Sequence, residues 1–549
     1  MKGQEKFFLL GFFVLNLFQA AFTQLTGDEA LYWMHWNNLD WGFRDHPPAI
    51  GAMIGVGYSL FPSELGVRLL VVLANTITLM LLWKLVQPKS TGQFIALLLS
   101  IPVMSIYAFM ATPDVPLILS VAFYLLTWKN FLEDQSNKNT LLLAVAMAAM
   151  VWSKYHGVLV IIFMLLPVRS MWFNKKFWIA GVMGILLFSP HIIWQIVNDL
   201  PTVKFHLNDR NSDKWDWKLI SGYAGGQFAV FNPIVFVTVI ILMIKTKAKT
   251  DFERSLRWLI NGLLLLFFFN SFRGRVEPHW TACIYLAIVY LLIKLWEVSP
   301  PQKWIMRGIV FFATIVFVVR FALVFDVIPA FYREFHRDKN KMLALKEVAG
   351  DLPVCFMNSY QNPSLYSFYT GGIAHSINNT GGGRNQFDFW NYNEFIHKKP
   401  FLFVASYDAP GFEKASAGKF QFDVKRLNDL PVLHGLTVWT DDWLFHFHQG
   451  DSVNIPGYLI NRNNYDLNLK DPNHTIQWRA LFNFKKPNQA IPDLEIDGMP
   501  DFISANDSVR INLRFKLPEL TGRNYLMIAA QIDDLPATYQ SNKMRVMVK

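Results

Sequence analysis

Carboxylates and cations gather at the ends of long apolar runs in this chain. Asp28 and Glu29 directly follow the first run, and Arg44, Asp45 and His46 precede the pair Pro47-Pro48. Arg68 lies early in the second run, Asp114 sits in a tight turn between two more, and Lys154 and His156 join a further two. Arg273, Arg275, Glu277 and His279 crowd another short turn. A carboxylate can act as general base on a hydroxyl. Arg, Lys or His can hold a departing phosphate as its negative charge develops. Together these groups suit transfer of a sugar from a lipid phosphate, and by residue type alone they equally suit a phosphatase or a transporter of an anionic lipid. Plainer roles compete with each. Asp28-Glu29 fits the cap of a helix beginning near Ala30, and Asp beside proline is ordinary turn chemistry.

The elements that must position these residues are apolar blocks. Of 549 residues 52% are hydrophobic and 17% charged, against about a quarter charged in soluble chains. The 48 Phe and 19 Trp point the same way. Candidate spans, many near the ~20 residues that cross a hydrocarbon core, fall at 7–25, 65–86, 92–111, 114–131, 139–153, 155–170, 177–197, 228–244, 257–271, 280–296 and 305–327. With Lys2 and Lys6 in the cytoplasm, Lys84 and Lys89, Lys129 and Lys138, Arg169 with Lys175 and Lys176, the cluster Lys245 to Arg257, and Lys303 with Arg307 all fall on that side, as positive-inside topology requires. The opposite side receives 26–64, the Pro113-Asp114 turn, a loop near 198–227, the turn 272–279 and everything after the last span. Every candidate site residue is therefore expected near one interface. Residues 45–62, glycine-rich and short, fit a helix lying along that interface. The first run is read as an uncleaved span.

The net charge of +10 sits in the short loops and reports topology, which argues against nucleic-acid binding. Two cysteines, Cys283 in an apolar block and Cys355 in the polar part, exclude a cysteine metal centre. Asp441, Asp442, His446 and His448 have ligand types, but a β surface explains them as well, and no metal or other cofactor is expected. After Phe331 the pattern becomes that of soluble protein. Residues 336–349 suit an amphipathic helix stopped by Gly350, and 353–356 and 401–404 suit buried strands. From about 430 alternation is strand-like, and Gly371-Gly372 and Gly381 to Gly383 mark loops. The expected divisions are 1–330, 331–430 and 431–549.

The stretches Gly27-Asp28-Glu29-Ala30-Leu31-Tyr32-Trp33, Asp40-Trp41-Gly42-Phe43-Arg44-Asp45-His46-Pro47-Pro48 and Gly66-Val67-Arg68-Leu69 resemble the start of the dolichyl-phosphate-mannose protein mannosyltransferase superfamily. The likeness is greatest to its bacterial branch, which includes the aminoarabinose transferases of lipid A. Pro113-Asp114-Val115-Pro116, Ser153-Lys154-Tyr155 and Glu277-Pro278-His279-Trp280 follow in the family's order. The resemblance implies the GT-C fold: an α-helical polytopic membrane domain of about eleven spans, here followed by a periplasmic α/β plus β-rich region. It implies an inverting glycosyltransferase with a polyprenyl-phosphate sugar donor and its site at the outer face. It marks Asp28, Glu29, Asp45 and Asp114 as catalytic, and His46, Arg68, Lys154, Arg275, Glu277 and His279 as substrate contacts. His46 departs from the pattern, since relatives often carry Lys there, a better phosphate partner.

The sugar and the acceptor, whether lipid A, another envelope glycan or a protein, stay open at this stage. The uncleaved first span and the unpaired cysteines favour a bacterial inner membrane. A transporter of a lipid-linked saccharide predicts pseudo-symmetric halves, and no repeat is visible. A membrane-anchored binding protein would place its work in residues 331–549.

Overall fold

The computed structural model describes residues 3–549 except 199, 205–215, 326, 328–332, 381, 391, 406–410 and 484–493. Part of the expected outer loop 198–227, and Gly381, therefore lie outside the described residues. Two compact units are present, Met1–Arg337 and Asp338–Lys549.

The first unit is helical. It begins with α1 (Gly3–Phe22), α2 (Gly27–Asn37), α3 (Ala49–Leu60), α4 (Glu64–Val86), α5 (Thr91–Leu99), α6 (Pro102–Ile106), α7 (Asp114–Glu133) and α8 (Asn137–Ser153). It continues with α9 (His156–Leu165), α10 (Lys175–Val197), α11 (Pro201–Lys204), α12 (Trp217–Phe231), α13 (Pro233–Lys245) and α14 (Asp251–Asn270). A 3-10 segment, Pro278–Ile284, leads into α15 (Tyr285–Trp296), and α16 (Lys303–Val324) follows. Among the described residues six helices are long and apolar enough to cross a membrane, counting Pro278–Trp296 as one, and seven if the bent pair α12–α13 is one span. Each remaining block also forms a helix, but a shorter or more charged one. Exposed apolar side chains on α10 and α16, such as Leu186 and Phe311, suit surfaces that meet lipid rather than water.

Two of the expected spans are broken. The block 92–111 stops at Ile101-Pro102, because proline removes an amide donor and clashes with the preceding turn. The block 228–244 begins earlier than expected, with α12 occupying part of the supposed loop, and it bends by 101° between α12 and α13. The bend falls at Asn232, whose φ is +60°, just before Pro233. The two breaks meet: Asn232 Nδ2 donates to the Ser100 carbonyl at 2.7 Å, and Asn232 Oδ1 accepts from Val235 N at 2.9 Å. Backbone groups freed at membrane depth need such internal partners.

Contacts at the helix ends agree with the alternating topology. At one end Lys89 N donates to Glu297 (3.2 Å), and Lys176 Nζ donates to the Gln135 carbonyl (2.7 Å), so four basic turns share that end. The other end collects the site residues described below.

The second unit starts with α17 (Asp338–Ala349), which ends at Gly350 with φ +59°. It contains β1 (Val354–Met357), α18 (Gln361–Thr370), β2 (Ala374–Ile377), β3 (Phe401–Val404), β4 (Glu413–Ala417) and β5 (Phe420–Leu427) in one sheet of order β2-β1-β3-β5-β4. The β2-β1-β3 pairs are parallel and the rest antiparallel. Residues 436–548 add mainly antiparallel sheets. One hydrophobic cluster, from Cys355 and Phe403 to Leu459, Leu513 and Val546, runs through both halves, so the expected boundary at 430 lies between strands that share a core. His446 lies in the strand Leu444–Phe447, and among the described residues no three His, Cys, Asp or Glu side chains form a metal-ligand group.

This unit carries a built-in acid sensitivity. His375 is fully buried, and burial pushes its pKa down to about 3. Burial, aided by Lys398, pushes His397 down to about 4. In the unfolded chain both would bind protons near 6.5, so between pH 6.5 and about 3 the unfolded state holds more protons than the folded one. Stability is therefore fully present above that window and falls as pH drops through it. Burial raises the pKa of Asp388, but its contact with His434 (2.5 Å) and nearby Arg384 outweigh it and hold the carboxyl below its usual value. It adds a loss in the same direction at still lower pH. Protection factors of the β1 and β2 amides in the full chain, taken relative to the intrinsic exchange rate at each pH, are expected to fall from pH 7 to pH 4, with a shallower fall in His375→Gln.

Candidate active site at one end of the helical unit

The site is assembled around a buried ion pair. Thr26 caps α2, and Glu29, at the third position of the helix, closes a capping box: Thr26 N donates to Glu29 Oε2 at 3.0 Å. The cap expected at Asp28-Glu29 is thus made by Thr26 and Glu29. The same carboxylate takes a two-pronged bond from Arg68 on α4, with Nε to Oε1 at 2.7 Å and Nη2 to Oε2 at 2.6 Å. Both side chains are 0% exposed. The remaining guanidinium donors go to the carbonyls of Ala20, Thr23 and Gln24 and to Thr23 Oγ1. Glu29 Oε1 also accepts from Ala111 N at 2.8 Å. Arg68, with its donors engaged, and the buried Glu29 tie α2, α4 and the Ala111 turn together in this structure.

What they tie is the chemistry. Glu29 fixes the neighbouring Asp28 from one side and, through Ala111, the turn that leads to Asp114 from another. Asn75 on α4 adds a second hold on that turn by donating to the Tyr107 carbonyl at 2.8 Å. Asp114 opens α7 and meets Lys154, at the end of α8, with Nζ to Oδ1 at 2.8 Å. The two side chains are 5% and 6% exposed. His279 Nε2 lies 3.9 Å from Asp114 Oδ2, and its ring stands 5.9 Å from Tyr107. The charges of Asp114, Lys154, Glu277 and Asp28 all act on His279, which places Asp28 and Glu277 in the same electrostatic neighbourhood. Arg275 pairs with Glu277 at 2.8 Å, and its side chain is 78% exposed, so it stands at the rim. Of the expected residues, Asp114, Lys154 and His279 are brought into contact, and Asp28 and Glu277 lie near enough for their charges to act on His279; Glu29 and Arg68 form a separate buried pair.

Asp45 and His46 belong to a neighbouring loop that α10 pins in place. Arg44 Nη1 reaches Asp45 Oδ1 at 3.3 Å, and the His46 ring lies 6.0 Å from Tyr32. The charge of Asp45 acts on Tyr155, whose hydroxyl joins His191 Nε2 (2.9 Å) and Thr202 Oγ1 (3.1 Å). His191 Nδ1 meets the Trp41 carbonyl at 2.7 Å, and Trp194 Nε1 donates to Asp40 Oδ2 at 2.6 Å. Between them Gly42 passes so close to α10 that a Cβ would lie 2.4 Å from Trp194 Cε3. Gly42→Val is expected to displace this loop and to lower the melting temperature of the purified protein. An unchanged melt would show that the close passage is dispensable.

Sequence reading missed Tyr107, Asn75 and His191. Each acts through packing between distant helices, and none carries a local signal. Tyr155 stood in a quoted motif, yet its role as a link to α10 had no trace there.

A helical unit followed by a β-rich unit is the GT-C fold, and the solved structures show it. ArnT from Cupriavidus metallidurans superposes with a TM-score of 0.55 in its apo state and 0.56 when bound to undecaprenyl phosphate. Sequence identity is 14%, and the match covers 77% of this chain and 97% and 98% of those two chains. Residues 45–194 match the family model described as dolichyl-phosphate-mannose-protein mannosyltransferase, the superfamily that the sequence motifs resemble. The chain is also 25% identical to the lipid A galacturonosyltransferase RgtD of Rhizobium johnstonii over 312 residues, 54% of this chain and 66% of that protein.

Proposed function

We propose that the protein is an inverting membrane glycosyltransferase, moving a monosaccharide from a polyprenyl-phosphate donor to an envelope acceptor at the outer face of a bacterial inner membrane. The observation that carries this reading is the meeting of Asp28, Asp114, Lys154 and His279 at one end of a GT-C helical unit. In this reading residues 1–330 hold the chemistry, and the C-terminal region lies in the periplasm. The relatives support a lipid-phosphate donor, because ArnT from Cupriavidus metallidurans is solved bound to undecaprenyl phosphate. A lipid acceptor of the lipid A kind is the first to test, given the relative named for that substrate.

The acceptor oxygen attacks C1 of the sugar, and the C1–O bond to phosphate breaks. The phosphate leaves with the bonding pair, and a hydroxyl acceptor gives its proton to Asp28. Lys154, oriented by Asp114, faces the phosphate as a preorganised cation while its charge grows, and His279 offers it an imidazole N–H. Arg275 and Glu277 contact the head group at the rim. Asp45 and His46 line the approach, and Glu29 and Arg68 hold the frame.

Purified protein in lipid, given radiolabelled undecaprenyl-phosphate sugars and cell-envelope fractions, is expected to pass label to a lipid or glycan fraction. No transfer from any donor, with labelled lipid moved across the bilayer instead, would replace this reading with a transporter.

A further inference from the structure

Arg320 lies on α16, far in sequence from the groups above, and is 4% exposed. Its charge has no carboxylate partner among the described residues. Nε donates to Gln19 Oε1 at 2.7 Å, and Nη2 reaches the side-chain oxygens of Asn16 and Gln19. Its Nη1 makes no hydrogen bond among the described residues, and Asn16 Nδ2 is buried without a partner. Gln19 returns a bond to the Arg320 carbonyl at 2.8 Å, so α1 and α16 are clasped around an unneutralised cation. Its Cζ stands over the Phe12 ring, 6.0 Å from the centroid.

An uncompensated arginine at membrane depth is costly and marks a functional contact. It opens on a groove between the two helices, lined by Leu15, Phe18, Gln19, Phe317, Arg320 and Phe321. Phe317 and Phe321 are exposed on its outer side. Arg320 precedes the end of α16 by four residues, roughly 6 Å of helix rise, so it stands near the end of an apolar helix long enough to cross a membrane.

We propose that the α1–α16 groove is a binding site for an anionic lipid phosphate, whose phosphate is held by Arg320 and whose chains lie against Phe18, Phe317 and Phe321. Glycerophospholipids and polyprenyl phosphates share that chemistry. The site is independent of the reaction proposed above.

Native mass spectrometry of the full chain released from phosphatidylglycerol nanodiscs tests it. The wild type is expected to keep a phosphatidylglycerol adduct that both Arg320→Gln and Leu15→Trp lose. Leu15→Trp fills the groove and leaves the arginine and its partners in place, so it decides the matter if Arg320→Gln fails to fold. Added undecaprenyl phosphate that displaces the adduct identifies a polyprenyl phosphate as the occupant, and an adduct that resists it identifies a glycerophospholipid. Equal adducts on wild type and Leu15→Trp overturn the proposal.

Discussion

Asp28→Asn is expected to lower transfer to a hydroxyl acceptor by roughly 100-fold or more, the scale of lost general-base catalysis, while the protein purifies and melts like the wild type. Asp28 is half-buried beside a rigid cap, and the cap belongs to Thr26 and Glu29. Asparagine keeps the shape and loses the ability to take a proton. The effect should fall on kcat rather than on donor KM, because the donor phosphate is assigned to Lys154 and His279. With a phosphate acceptor little base is needed, and the loss should shrink to that of a misplaced acceptor. Full activity at normal expression would remove Asp28 from the mechanism.

Arg68→Met should act differently. It leaves Glu29 as a buried carboxylate with its strongest partner gone, a change that costs about 3–5 kcal/mol in comparable pairs. A sharply lower melting temperature and poor recovery from detergent extraction are the expected readouts. Glu29→Gln combined with Arg68→Met should regain part of the loss, since no unpaired charge then remains. If Arg68→Met instead melts normally and only raises donor KM, Arg68 is a phosphate contact after all. The two experiments together separate the group that acts from the pair that holds it.

How much of this was legible in the sequence differs by element. Apolar length located nearly every helix, because burying twenty apolar residues leaves few alternatives to a span. It passed over the breaks after Leu99 and Phe231, although Pro102 and Pro233 mark both, and it held no trace of the bond that joins them, Asn232 to Ser100 across 132 positions. Motifs brought Asp28, Asp114, Lys154 and His279 to one interface. They could not separate Arg68 from Lys154, as both are cations at helix ends. Only packing distinguishes a guanidinium whose donors are spent on carbonyls and Glu29 from an ammonium facing His279. The polar part was readable as strands where alternation was clean, as at 509–513, but the shared core of its two halves was not.

The triple attachment of Glu29 has a mechanical consequence. Asp28 and the turn before Asp114 hang from the same carboxylate, so they move as one jaw whenever α4 shifts. Lys154 comes from α8 and His279 from the 3-10 segment; Lys154 meets that jaw through Asp114, with Ser153 beside it reaching Ser120, and His279 rests on Tyr107. A displacement of α4 would therefore carry both acidic turns together and leave the spacing between them unchanged.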